Sequence, residues 1–178
     1  MQNKSFNSMR CPIARTLDRV GEWWSILILR EAMQGPARFD DLQKNLGIAP
    51  STLTRRLDKL VEDGLLEKRL YQARPARYEY ALTACGEDFR PVIWSMLAWS
   101  NRHFAPEGPS LVIVDHDTGA WADPVLVDRL TGQRLERPRF EVAVTPAADA
   151  ALQSRYSLKS KRPGSLPVRK ISTSHQDA

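Results

Sequence analysis

Cysteine is nearly absent from this chain. Cys11 and Cys85 are the two among 178 residues, too few for a disulfide scaffold and without the paired spacing of metal ligands. That usage fits a reducing cytoplasm and a fold that needs no staples. Long apolar runs are missing too, so no segment is expected to span a membrane, and the opening stretch lacks the apolar core of a signal peptide. Histidine is sparse, with His103, His116 and His175 far apart. There is no glycine-rich phosphate loop, no H-E-x-x-H and no G-x-S-x-G, so nothing assembles a nucleophile and its base. Catalytic residues, cofactor and metal are all expected to be none.

What is present is an uneven distribution of charge. The formal net charge is +5, but Lys and Arg against Asp and Glu number 16 and 12 in residues 1–104, 4 and 8 in 105–153, and 6 and 1 in 154–178. An acidic segment therefore separates two basic ones, and a polyanion should engage the first, the last or both. At this length the chain holds one good core with an appendage, or two small domains.

The chemistry concentrates in Pro50 to Gly64, PSTLTRRLDKLVEDG. Leu53, Leu57, Leu60 and Val61 recur at the spacing that lines one side of a helix. Pro50 suits a first helical position and Gly64 a left-handed stop. Ser51, Thr52, Thr54, Arg55, Arg56 and Lys59 fall off that stripe, and hydroxyls with long cationic side chains are what base edges and phosphates hydrogen-bond. Taken alone, such a segment is more often a solvated surface helix; its neighbours decide.

Upstream, Ile13, Leu17 and Val20 are spaced for a short helix begun at Pro12, and Trp24 with Ile26 to Leu29 is apolar almost all round, as a central buried helix would be. Phe39 to Leu46 reads as a short helix, and Gly47-Ile48 turns it directly into the Pro50 helix, a helix-turn-helix pattern. Downstream, Leu65 to Arg69 and Tyr78 to Leu82 flank a Pro-containing turn as a hairpin whose tip carries Arg74 and Arg77. Thr83 is a candidate N-cap for one long helix to about His103, with Pro91 bending it or near its start. Phe89, Val92, Ile93, Met96, Leu97, Trp99 and Phe104 give it more apolar surface than one domain flank needs. From Pro106 the texture changes: Leu111–Val114, Pro124–Val127 and Phe140–Val144 are short strand candidates. Beyond about Gln153 the chain is basic and poor in apolar residues, so a disordered tail is expected.

Short helix, glycine turn, polar-faced helix and basic hairpin together describe a winged helix-turn-helix. Cys11-Pro12, Gly21 to Leu29, Arg38 to Leu42, Leu53 to Leu57 and Asp63-Gly64-Leu65, in that order and spacing, resemble the HxlR family of bacterial transcription regulators over about residues 10–104. The resemblance implies a homodimer paired through its N- and C-terminal helices that binds double-stranded DNA at a near-palindromic operator, as repressor or activator, with repression expected. It makes Pro50 to Asp63 the recognition helix and Leu66 to Leu82 the wing, and Ile13, Leu17, Ile93, Met96, Leu97 and Trp99 the dimer candidates. Trp23 departs from it, standing where family members usually carry a polar or charged residue. Cys11 matches a cysteine that some members use to sense oxidants, which makes it the one redox candidate; the alternative is a small packing residue.

His116 to Gly119 and Asp128 to Gly132 resemble two knuckle turns of a zinc-ribbon-like appendage in extended members, but every corresponding cysteine is missing. The resemblance thus implies a module that has lost its metal and is held by packing; an unrelated β appendage is the equal alternative. The expected architecture is α+β, mainly α: a winged helix DNA-binding and dimerisation domain (10–104), a small β-rich module (105–153) and a disordered basic tail (154–178). Two other functions stay open. One is a winged helix that binds protein rather than DNA; the other is a regulator whose β module holds an unknown small-molecule effector.

Overall fold

The leucine stripe of the Pro50 helix goes inward. Leu53, Leu57 and Leu60 are fully buried, and they meet Ile28 and Leu29, also fully buried, with Leu42 and Leu66 closing the cluster. The computed structural model describes residues 9–157. In chain order its elements are α1 (Pro12–Val20), α2 (Trp23–Ala32), β1 (Ala37–Arg38), α3 (Phe39–Leu46), α4 (Pro50–Glu62), β2 (Leu66–Gln72), β3 (Arg77–Leu82), α5 (Ala84–Glu87), α6 (Arg90–His103), β4 (Ile113–Val114), β5 (Trp121–Ala122) and α7 (Ala150–Ser157).

α2 is the central helix its composition predicts, apolar on most sides because α3, α4 and the sheet surround it. Between α3 and α4, Gly47 sits at φ 63°, the left-handed region a side chain would strain, and its N–H closes α3 on the Gln43 carbonyl at 3.0 Å. Pro50 then opens α4 in the first turn, where a missing N–H costs nothing. β2 and β3 form the wing, antiparallel with Leu66 opposite Leu82 and Leu70 opposite Tyr78, and a bulge between Leu70 and Gln72. β1, two residues long and not expected from the sequence, joins this sheet by pairing Ala37 with Tyr80, giving the order β1-β3-β2.

The single long helix expected after Thr83 is two helices. Thr83 does cap the first, its Oγ accepting from Gly86 N–H at 3.1 Å, but α5 ends at Glu87. Pro91 falls in the first turn of α6, where it is tolerated.

The module beyond α6 has less regular structure than its alternating residues suggest. Pairing is limited to β4 with β5 and one bridge between Val127 and Arg134. Residues 124–127 and 140–144 form no strands; Val125 and Leu126 lie exposed, and Val142 is 79% exposed. A strand needs a neighbour for its N–H and C=O groups, and alternation alone supplies none. Two matching turns organise the module instead. In one, Gly119 N–H donates to the Asp115 carbonyl at 2.8 Å while Asp115 Oδ1 accepts from Asp117 N–H and Thr118 N–H at 2.9 and 3.0 Å. In the other, Gly132 N–H donates to the Asp128 carbonyl at 2.8 Å, and Thr131 Oγ donates to Asp128 Oδ2 at 2.6 Å. These hydrogen bonds, Thr118 and Thr131 foremost, hold both carboxyls below the ordinary aspartate value. The Asp-x-x-Thr-Gly turns are thus closed by their own side chains. α7 carries helix through Ser157, past the expected start of the tail at 154; the tail from 158 onward lies outside the described residues.

Candidate nucleic-acid interface

α4 turns its outer face to solvent because its inner face is fixed by three buried leucines. Ser51, Thr54 and Arg55 are exposed on that face, and Thr52 is half-buried beside them. Ser51, Thr54 and Arg55, with Asp58, Lys59 and Glu62, line an open depression of about 730 Å³. Thr54 Oγ donates to the Pro50 carbonyl at 3.0 Å, which orients the hydroxyl along the helix. No acid is paired with Arg55 among the described residues. Its guanidinium can fork onto a guanine edge or a phosphate.

The other two cations of the helix are engaged. Lys59 Nζ lies 3.1 Å from Asp63 and 3.4 Å from Glu62. The hydrogen bond to Asp63, opposed by partial burial and helped by the charges of Asp63 and Glu62, holds the ammonium above the usual lysine value. Arg56 corrects the sequence reading. Its side chain is only 14% exposed, and one terminal nitrogen of its guanidinium pairs with Glu22 at 2.9 Å. Its guanidinium is held between α4 and the start of α2, engaged by an acid and largely buried, unlike the exposed Arg55 beside it.

The wing supplies a second cationic group. Arg74 and Arg77 are exposed at its tip and at the start of β3. The chain adds three cations that the sequence reading passed over. Lys68 on β2 lies 4.4 Å from the centre of the Tyr78 ring, and Arg38, at the N-cap of α3, lies 4.4 Å from that of Tyr71. Arg69 pairs with Glu67 on the same strand. Aromatic faces hold the first two cations against the sheet while leaving the N–H groups free to donate. Asp58 was missed as well, although its spacing of three and four from Arg55 and Thr54 places it on one face with them. A carboxylate there accepts from a cytosine amino group and repels phosphate. Tyr80 beneath it is raised in pKa, by burial first and then by the Asp58 charge.

The dimer candidates divide. Ile13 is 69% exposed, Leu17 49%, Met96 44% and Trp99 53%, with Trp99 packed edge-on against Phe104 at 4.9 Å. Leu97 is half-buried and lines a cleft of about 180 Å³ between α6 and β4–β5. Ile93 is a correction: at 8% exposure its side chain is buried in the core cluster of its own chain and is not part of an exposed face. Cys11 is the half-buried N-cap of α1, and its neighbour Arg10 donates to the Ala147 carbonyl at 3.2 Å; Cys85 is exposed, and both thiols are free. Among the described residues no His, Cys, Asp and Glu group could hold a metal ion, and no helix is long and apolar enough to cross a membrane.

This arrangement has close parallels. Residues 19–108 match the HxlR-like helix-turn-helix family. Over 143 residues, spanning 80% of this chain and 90% of the relative, the chain is 38% identical to an uncharacterized HTH-type transcriptional regulator, Rv3095, of Mycobacterium tuberculosis. Among solved structures it is similar to PA1374, a candidate transcription factor of Pseudomonas aeruginosa, at 47% identity and a TM-score of 0.58, covering 82% of this chain and 99% of that one. PA1607, another candidate transcription factor, is 32% identical with a TM-score of 0.70, covering 79% of this chain and 99% of that one. The chain therefore belongs to the HxlR-like helix-turn-helix family, whose members are transcription regulators and not catalysts.

Proposed function

We propose that the protein is a sequence-specific DNA-binding regulator that acts as a homodimer and represses by occupying a near-palindromic operator. One observation carries the reading: the outer face of α4, with Ser51, Thr54 and Arg55 exposed, packs in the same core as a wing bearing Lys68, Arg74 and Arg77. A helix of that chemistry reads base edges in a major groove, and cations on a wing hold the flanking backbone. The acidic module, with Asp115, Asp117, Asp123 and Asp128 exposed or nearly so, stays away from phosphate. Exposed Ile13 and Leu17 on α1 and Met96 and Trp99 on α6 support pairing of two copies, since one winged helix reads only a half-site. Cys11, at the start of α1 in that proposed interface, is the redox candidate we carry forward from the resemblance.

The test is a gel shift on duplexes enriched from a random library by the full-length chain, repeated over a salt series. Enrichment of a palindrome, with affinity falling steeply as salt rises, supports the reading. Absence of any enriched duplex at low salt rejects it in favour of a winged helix that binds protein.

A further inference from the structure

Glu22 occupies the N-cap of α2 yet makes no side-chain hydrogen bond to that helix's free N–H groups. Its carboxylate instead reaches Arg56 on α4 at 2.9 Å. The corner that places Glu22 is tight. A Cβ on Gly21 would stand 2.3 Å from the Leu17 carbonyl oxygen, so no other residue turns α1 into α2 in this way. The acid is therefore delivered to α4 from a rigid junction.

We infer that Arg56 is a positioning residue of the recognition helix: clamped by Glu22, it fixes the rotation at which α4 presents Arg55, and it does not itself touch DNA. This role rests on the DNA-binding reading above. Leu53, Leu57 and Leu60 seat α4 by apolar packing, which is non-directional and tolerates small rotations. An ion pair at 2.9 Å between groups on two helices adds a distance restraint that such packing lacks. Arg55 is one residue away, a step of about 100° around the helix, and a rotation of about 10° carries an atom 6 Å from the axis by about 1 Å. That is enough to break a bidentate contact with a base edge. Stability is a poor explanation for the pair. Arg56 Nε is buried with no hydrogen-bond partner, and a half-satisfied buried cation is commonly matched or bettered by an apolar residue of similar volume.

The experiment uses the full-length chain, a palindromic duplex enriched by the wild-type protein and a scrambled duplex of equal length. Specific and non-specific affinities are measured over a salt series for wild type, Arg56→Gln, Glu22→Gln, the Glu22→Arg/Arg56→Glu exchange and Arg74→Ala. Arg56→Gln and Glu22→Gln are each expected to lower the specific-to-non-specific ratio roughly 3- to 30-fold with no change in the salt slope. The exchange variant restores most of the loss. Arg74→Ala reports what a lost phosphate contact looks like, a slope reduced by about 0.9. Arg56→Lys, which keeps the charge, replaces Arg56→Gln should thermal melting show that the glutamine variant is unfolded, and it is expected to retain a ratio above that of Glu22→Gln. A slope reduction of that size for Arg56→Gln makes Arg56 a phosphate contact and overturns the role. So does loss of specificity in Arg56→Gln but not in Glu22→Gln, which makes Arg56 a base reader. If wild type enriches no duplex, the DNA-binding reading fails first, and this role with it.

Discussion

The Thr83 hydroxyl donates to the Gly64 carbonyl at 2.6 Å and accepts from the Gly86 N–H at 3.1 Å. One side chain, directly after the wing, thus joins the turn that leaves α4 to the first turn of α5. Thr83→Val keeps the shape and removes both bonds, leaving the Gly86 N–H without its cap. A loss of about 1–2 kcal/mol is expected, measured as the urea midpoint at constant m-value, with Thr83→Ser recovering most of it.

Arg55 and the wing should fail differently. Arg55→Ala is expected to cost about 1–3 kcal/mol on an enriched duplex and much less on a scrambled one, as a base contact does. Arg74→Ala or Arg77→Ala should weaken both duplexes alike and reduce the salt slope by about 0.9 each. Titration of both duplexes at two salt concentrations separates the two patterns. Equal loss on both duplexes for Arg55→Ala places that side chain on phosphate.

Ile93 and Trp99 lie on one helix but face opposite ways, and their substitutions should separate folding from association. Ile93→Ala opens a cavity in the core and is expected to cost about 2–5 kcal/mol of stability. Trp99→Asp puts a charge on the exposed face and should leave each chain folded but monomeric. Sedimentation at micromolar concentration beside thermal melting distinguishes them. A Trp99→Asp protein that sediments as wild type places the dimer surface elsewhere.

The turns at Asp115 and Asp128 predict how the C-terminal module responds to pH. Both carboxyls are depressed in the folded chain, so their contribution is complete above the unfolded aspartate value, about 3.9, and is lost as pH falls through the lower folded values. Amide resonances of Gly119 and Gly132, whose N–H groups close the two turns, should hold steady from neutral pH to about 4 and move together below it. Chelator at neutral pH should leave them unchanged.

Most of the winged helix was legible because local signals and burial agree there. Pro50, Gly47 and the leucines at 53, 57 and 60 mark α4 without reference to any distant residue. Arg56 was misread because its partner, Glu22, lies 34 positions earlier, and no periodicity reveals that a residue just off the apolar stripe is met by an acid from another helix. β1 was invisible for a similar reason, since two residues become a strand only when Tyr80 and Glu79 arrive beside them. In the C-terminal module the alternating valines overstated the strands. There the governing signal was Asp-x-x-Thr-Gly, a hydrogen-bonding pattern that hydrophobic spacing does not detect.

The pairing of Ala37 with Tyr80 joins the entry of α3 to the strand at the root of the wing. Breaking the root of β3 therefore exposes the groups that also hold the helix-turn-helix, so the two should open in a single cooperative event. Amide exchange at Tyr80 and Ala81 should match the slowest exchange of α2 and α4. The turn from Ala73 to Ala76, beyond the last register pair, should exchange freely. By that expectation the wing divides along its length into a root that opens only with the domain and a tip, carrying Arg74, that moves without it.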